Sequence, residues 1–368
     1  MKQTIDVAAY IWPAYTGREP RTRIFWPDGE GEWQTVKKAG PKFEGHQWPR
    51  KPLMGYQDEA DPEVMEQQIE LAVSHGINVF AYDWYWFDGR PFLENCLNDG
   101  FLKAKNQDKM KFYLMWANHD ANHLWDRRLS DQVGSTVIWR GRVHPEDFEV
   151  IGHRWLDQYF MRPNYYCIDG KPLVAIYDLA NFVASFGSVE KTAEAMRWLD
   201  REAKSYGLPG VHFQLIYWNS RSTNLSGVDG GEKDESQLAQ LPFESITHYQ
   251  FVHFANIDRP YPEVRQDVLK EWERLEKDVP VPYYPHVSLG WDNNPRFLSF
   301  RPGILRDNTP ENVEVMLHDA KKHALEHGMP LVTVNSWNEW TEGSYLLPDD
   351  LYGKGYLECV KRVFMEEE

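Results

Sequence analysis

Short runs of apolar, β-branched and aromatic residues alternate with longer amphipathic stretches along the whole chain, and eight such pairs can be read. The runs at 5–11, 78–83, 111–116, 173–177, 212–217, 245–250, 283–288 and 331–335 have the length and composition of strands. Several are almost continuously apolar, the pattern of a strand buried on both faces of a parallel sheet. Helical stretches lie between them. The first opens at Asp61-Pro62-Glu63, with Asp61 placed to cap the free N–H groups and Pro62 suited to the first helical position, and it stops at Gly76. Others are expected at 92–105, 146–160, 189–206, 232–241, 262–277, 310–327 and 355–365, the stretch at 232–241 being short and polar.

Strand and helix in strict alternation, without a compositional linker, predict the α/β class and a single (β/α)8 TIM barrel over residues 1–368. An open dinucleotide-binding sheet lacks its signature, because no glycine-rich phosphate loop follows the first strand. Long insertions follow the first strand (13–59) and the third (117–145). In a barrel they belong to the C-terminal face, where active sites are assembled.

Composition narrows the partner. Hydrophobic residues at 42% and charged residues at 26% suit a globular protein, whereas 16 Trp, 19 Tyr and 18 Phe exceed what a core requires and suggest rings lining a groove. A net charge of −16 repels phosphate backbones, so nucleic acid is not expected as a partner. No apolar run approaches the ~18 residues of a membrane span, so no membrane partner is expected. With no leader-like segment at its start, the chain is expected to be cytoplasmic, or periplasmic or secreted if a signal peptide has been removed. Cys96, Cys167 and Cys359 are too few and too scattered for a disulfide framework and are expected to be buried reduced thiols. Metal binding is not expected, since His248, His253 and His286 are scattered and no His-Glu-x-x-His spacing occurs. Neither a cofactor nor a nucleophilic serine or cysteine has a supporting motif.

The strand ends supply the candidate chemistry. Tyr10 and Trp12 end the first strand, Asp83, Trp84 and Trp86 the second, and Trp116, Asn118 and His119 the third. Tyr177, Trp218 and Tyr249 follow at the fourth to sixth, His286, Trp291 and Asp292 at the seventh, and Asn335 and Trp337 at the eighth. Aromatic plates with polar groups between them suit a sugar, whose rings present C–H faces and whose hydroxyls need fixed partners. Glycosidic cleavage needs one acid for the leaving oxygen and a second carboxylate. Glu339 and Glu342, in Asn335-Ser-Trp-Asn-Glu-Trp-Thr-Glu-Gly343, supply that pair beside Trp337 and Trp340, which a solvated acidic face would not carry. Asp83 is a further acid in an aromatic run, expensive to bury without a partner.

That segment, together with 70–87, Trp116-Ala-Asn118, Asp169-Gly-Lys-Pro-Leu-Val-Ala-Ile-Tyr177 and Gly290-Trp-Asp-Asn-Asn-Pro295, resembles the glycoside hydrolase family 99-like proteins, also labelled WbsX. The resemblance implies a (β/α)8 barrel acting on a carbohydrate. It implies a retaining reaction through a 1,2-anhydro sugar, with Glu339 as the base that deprotonates the substrate's 2-hydroxyl and Glu342 as the general acid/base. Substrate identity does not follow from it, since Asp83-Trp84 and Asn118-His119-Asp120 mark departures in the sugar-binding region. A glycosyltransferase or accessory protein of surface-polysaccharide assembly, and a non-catalytic carbohydrate-binding barrel, are the alternative readings.

Overall fold

The computed structural model describes residues 5–48, 50–218 and 235–366. Eight parallel strands form its centre: β1 (Asp6–Ile11), β2 (Val79–Phe87), β3 (Lys111–Trp116), β4 (Lys171–Ile176), β5 (His212–Ile216), β6 (Ser245–Thr247), β7 (His286–Ser288) and β8 (Leu331–Asn335). They pair in the order β6-β5-β4-β3-β2-β1-β8-β7, each next to its neighbour in sequence. The ring closes between β6 and the residues before β7, where Ile246 N–H donates to Pro282 O (2.9 Å) and Tyr284 N–H to Ile246 O (2.8 Å). This is the (β/α)8 barrel that the alternation predicts.

The helices cover the outside: α1 (Pro62–Val73), α2 (Pro145–Trp155), α3 (Leu179–Phe186), α4 (Val189–Ser205), α5 (Tyr261–Asp278), α6 (Pro310–His327) and α7 (Gly355–Met365). In α1 the Asp61 carboxylate accepts from Glu63 N–H (2.9 Å) and Pro62 sits in the first turn, as the sequence indicates. Three expectations differ. Residues 92–105 form no regular helix: Phe92 ends a short strand, Arg90–Phe92, that pairs back on β2, and a single wide turn at Cys96–Gly100 follows. The strand pairing takes the start of the stretch, and the turn packs so closely on the loop before α1 that a Cβ on Gly100 would lie 2.1 Å from Glu59 O. The expected helix at 232–241 lies partly outside the described residues, and Glu235–Gln240 is a 3-10 turn. Of the three thiols, Cys96 and Cys359 are buried but Cys167 is exposed.

Strand geometry decides which aromatics face where. Side chains alternate across a strand, so along β2 Asp83 and Tyr85 turn to one side while Trp84 and Trp86 turn to the other. Trp84 and Trp86 stack on each other at 5.9 Å, and Trp84 meets Trp155 of α2 at 5.3 Å. Trp116 packs among Phe148, Trp155 and Phe182, all on the helical layer. Among the described residues no helix is long and apolar enough to cross a membrane.

Candidate active site

A cavity of about 510 Å³ opens at the C-terminal ends of the strands, with Trp12, Tyr85, Trp125, Tyr177, Trp218 and Tyr249 among its walls. The rings brace one another: Tyr177 lies 4.9 Å from Trp218 and 5.3 Å from Tyr249, and Trp12 lies 5.2 Å from Trp125. Both insertions contribute, as expected. The one after β3 brings His119, Asp120, Asn122 and Trp125 to the rim. The one after β1 delivers Glu32, fully buried, which accepts from Trp12 Nε1.

The segment after β8 is turned so that every other group has a fixed address. Ser336 Oγ accepts from Glu339 N–H (2.8 Å) and donates to Ser344 O (2.7 Å). Trp337 points outward, donating through Nε1 to Gln68 of α1 (2.7 Å) and packing on Phe80. Asn338 grips the end of β1, accepting from Trp12 N–H (2.8 Å) and donating to Trp12 O (2.9 Å). Trp340 stacks on Tyr345 at 3.9 Å. Glu339 and Glu342 are the members that reach the cavity.

Between them lies Arg296. Its guanidinium donates to Glu342 Oε1 (2.6 Å), to Glu339 Oε2 (3.4 Å) and to Glu32 Oε1 (3.3 Å). It is held there by the loop that opens at Gly290, which runs so close to the segment after β8 that a Cβ on Gly290 would sit 2.4 Å from Gly343 O. Asp292 N–H donates to Glu342 O (2.6 Å), and the Asp292 carboxylate binds His46 (2.6 Å) and Asn294 (2.8 Å). Two motifs separated in sequence are thus one packed unit.

Burial raises both carboxyls. For Glu339 desolvation is the largest cause and the Glu342 charge adds to it, with Arg296 opposing; the shift is large. For Glu342 desolvation again leads, and Arg296 pulls back by charge and hydrogen bond. Two acids that share one cation titrate as a coupled pair, and burial favours the protonated form of each. On the opposite side, Tyr249 OH lies 3.0 Å from Asp83 Oδ2 and 3.1 Å from Glu339 Oε1. One phenolic proton cannot serve both oxygens, so the second contact is a hydrogen bond only when a carboxyl carries a proton. Burial pushes Asp83 well above the usual carboxylate range, and its Oδ1 has no partner among the described residues.

Eight expected site residues therefore meet at the cavity: Trp12, Asp83, His119, Tyr177, Trp218, Tyr249, Glu339 and Glu342. Ten do not line it. Trp84, Trp86 and Trp116 face the helices, for the alternation given above, and Trp337, beyond the end of β8, is turned to α1 by its bond to Gln68. Tyr10 is buried behind Tyr249, 4.8 Å away ring to ring, and donates to His248 O. His286 is enclosed by Thr333 (2.9 Å) and Ser288 (3.0 Å). Asn335 is fixed by Gln250 (2.8 Å), and Asn118 ties the ends of β3 and β4 by bonding both N–H and C=O of Asp178. Asp292 organises its own loop, and half-buried Trp291 sits outside the cavity, its carbonyl taken by Leu305 N–H. Sequence reasoning missed Arg296 and Glu32. Arg296 directly follows the Gly290–Pro295 motif, which was the available signal; Glu32 carried none. Asn219, the residue after Trp218, lies outside the described residues.

A family model described as Glycosyltransferase WbsX matches residues 7–360. The chain belongs to the WbsX family. A relative in Xanthomonas campestris pv. campestris, described as uncharacterized protein WxcX, is 29% identical over 358 residues, covering 93% of this chain and 47% of its own length. A second strain has a relative of the same name at 28% identity. The chain spans about half the length of these relatives. Among solved structures, the GH99 endo-alpha-mannosidase from Bacteroides thetaiotaomicron matches 97% of this chain and 96% of its own at 16% identity, with a TM-score of 0.58. A protein described as glycoside hydrolase-like matches 100% and 95% at 14% identity, with a TM-score of 0.63. These likenesses show that this chain has the same (β/α)8 barrel fold as those structures.

Proposed function

We propose that this WbsX-family barrel cleaves glycosidic bonds of an oligo- or polysaccharide with retention of configuration, using Glu339 and Glu342. The observation that carries the reading is a single guanidinium, Arg296, bridging two buried carboxyls in an aromatic-walled cavity. In the first half-reaction Glu339 takes the proton of the substrate's 2-hydroxyl, O2 attacks C1, and Glu342 protonates the departing oxygen. In the second, Glu342 deprotonates water as it attacks C1, and Glu339 returns its proton to O2 as the three-membered ring opens. The pair holds one proton before and after each half, so its charge is constant and one cation balances it throughout. The raised affinity of both carboxyls for protons supports this sharing, and no nucleophilic carboxylate at the anomeric carbon is required.

The test is turnover of an activated aryl glycoside and of defined oligosaccharides, with products followed by mass spectrometry and anomeric NMR. Glu342→Gln is expected to lose most activity on natural glycosides, where leaving-group protonation is needed, and to retain more on the activated one. Equal turnover by variant and wild type would remove the acid/base assignment.

The family's description favours a second reading, transfer from a sugar nucleotide. Among the described residues five carboxylates and one guanidinium line the cavity (Asp83, Asp120, Asp178, Glu339 and Glu342 with Arg296), a poor surround for a bare diphosphate. Calorimetric binding of a sugar nucleotide by the wild type would favour transfer over hydrolysis.

A further inference from the structure

On the outer surface α5 and α6 enclose a second cleft of about 450 Å³, and none of the residues lining it lines the catalytic cavity. His323 and His327 stand four residues apart in the last turns of α6, a spacing that places both on one face of a helix. Their rings stack with centroids 4.4 Å apart. Glu276, in the last turn of α5, faces both: one oxygen lies 3.0 Å from His323 Nε2 and the other 2.5 Å from His327 Nδ1.

His323 Nε2 is buried and, although close to Glu276, makes no hydrogen bond of acceptable direction among the described residues. The His323 ring packs against that of Trp272, 5.1 Å away, which fixes its orientation toward the cleft. An imidazole with an unused ring nitrogen can ligate a metal. Two further acids at the cleft are already engaged: Asp319 is gripped by Arg265, and Glu326 lies 3.8 Å from Lys322. The three donor atoms all lie within 4.8 Å of one another. A tetrahedral site with bonds of about 2.1 Å has edges of about 3.4 Å, so modest side-chain rotation brings them into place.

We propose that Glu276, His323 and His327 form a site for a divalent transition-metal ion, zinc by the nature of the donors, with solvent completing the coordination. The ion ties α5, which leads into β7, to α6, which leads into β8. It strengthens the part of the barrel that carries Arg296 and the catalytic segment without touching the reaction.

The experiment uses the full chain, stripped with a chelator and titrated calorimetrically with zinc chloride, and loaded separately with Cu2+ for electron paramagnetic resonance. One zinc per chain and a copper spectrum with two nitrogen donors are expected. Loss of groups that merely orient ligands costs 10–100-fold, so His323→Ala and His327→Ala should each weaken zinc by at least about 100-fold, and Glu276→Gln by at least about 10-fold. His327 is 39% exposed, so its alanine variant is expected to match the metal-free wild type in circular dichroism and melting temperature. Absence of stoichiometric binding, variants that bind as tightly as the wild type, or a copper spectrum with fewer than two nitrogens would overturn the assignment.

Discussion

Arg296 faces Glu32, Glu339 and Glu342, and its charge lowers the proton affinity of the last two. Replacing it with methionine leaves three buried carboxyls facing one another. Glu339 and Glu342 then ionise only at higher pH, so the acid limb of kcat/KM should move upward in pH and its maximum should fall by about 100-fold or more, as for loss of a preorganised charge partner. Arg296→Lys keeps a charge but loses the forked geometry and should recover part of the activity. A pH profile identical to the wild type in Arg296→Met would remove Arg296 from the machinery. At this scale the sequence was informative only where a residue lay inside a recognisable motif. Glu339 and Glu342 did; Arg296 lies one residue beyond one, and Glu32 has no neighbouring pattern at all.

At the scale of single elements, β2 separates packing from function along consecutive residues. Trp84 is 2% exposed among helical-layer rings, and its indole N–H is bonded to Glu94 (2.7 Å); Tyr85 is at the cavity wall. Trp84→Ala should cost about 3–5 kcal/mol of stability with KM little changed in the folded fraction. Tyr85→Ala should raise KM by about tenfold, the loss of one stacking contact with about 1.4 kcal/mol; urea unfolding and steady-state kinetics distinguish the two. The loop between β1 and α1 gives a pH-dependent counterpart. Burial pushes the Glu59 carboxyl up to about 8, opposed by hydrogen bonds from Gln68 and Asn338. In the unfolded chain this group titrates at its model value of 4.5, so between there and about 8 the folded state holds the extra proton. The Glu59 contribution to stability is therefore full below 4.5 and lost as pH rises through about 8. The urea midpoint should fall between pH 5 and pH 8.5 in the wild type and fall less in Glu59→Gln. The positions of the elements were largely readable because strand runs and helix caps are local signals. Residues 92–105 were not, because a helical composition there yields to a strand pairing and to contact with the distant Glu59 carbonyl.

At the scale of the molecule, the barrel collects acids at one end and holds them away from water. Asp83 carries part of that cost, being 4% exposed with one oxygen that has no hydrogen-bond partner among the described residues. Asp83→Asn should therefore raise the melting temperature at pH 8 by about 2–4 °C per kcal/mol of relieved desolvation while lowering turnover, the trade-off characteristic of a functional site. A variant both less stable and fully active would mark Asp83 as structural. The order of strands and helices, the closed parallel sheet and the segment bearing Glu339 and Glu342 were determined by the sequence alone, because periodicity, caps and short motifs are written in neighbouring residues. The tertiary structure decided which members of each aromatic run face the cavity, since the period of a strand is local but its phase relative to the barrel is not. It also decided the cation of the site. Arg296 meets Glu339 across 43 positions and Glu32 across 264, and only closure of the barrel brings such distant side chains within hydrogen-bond reach.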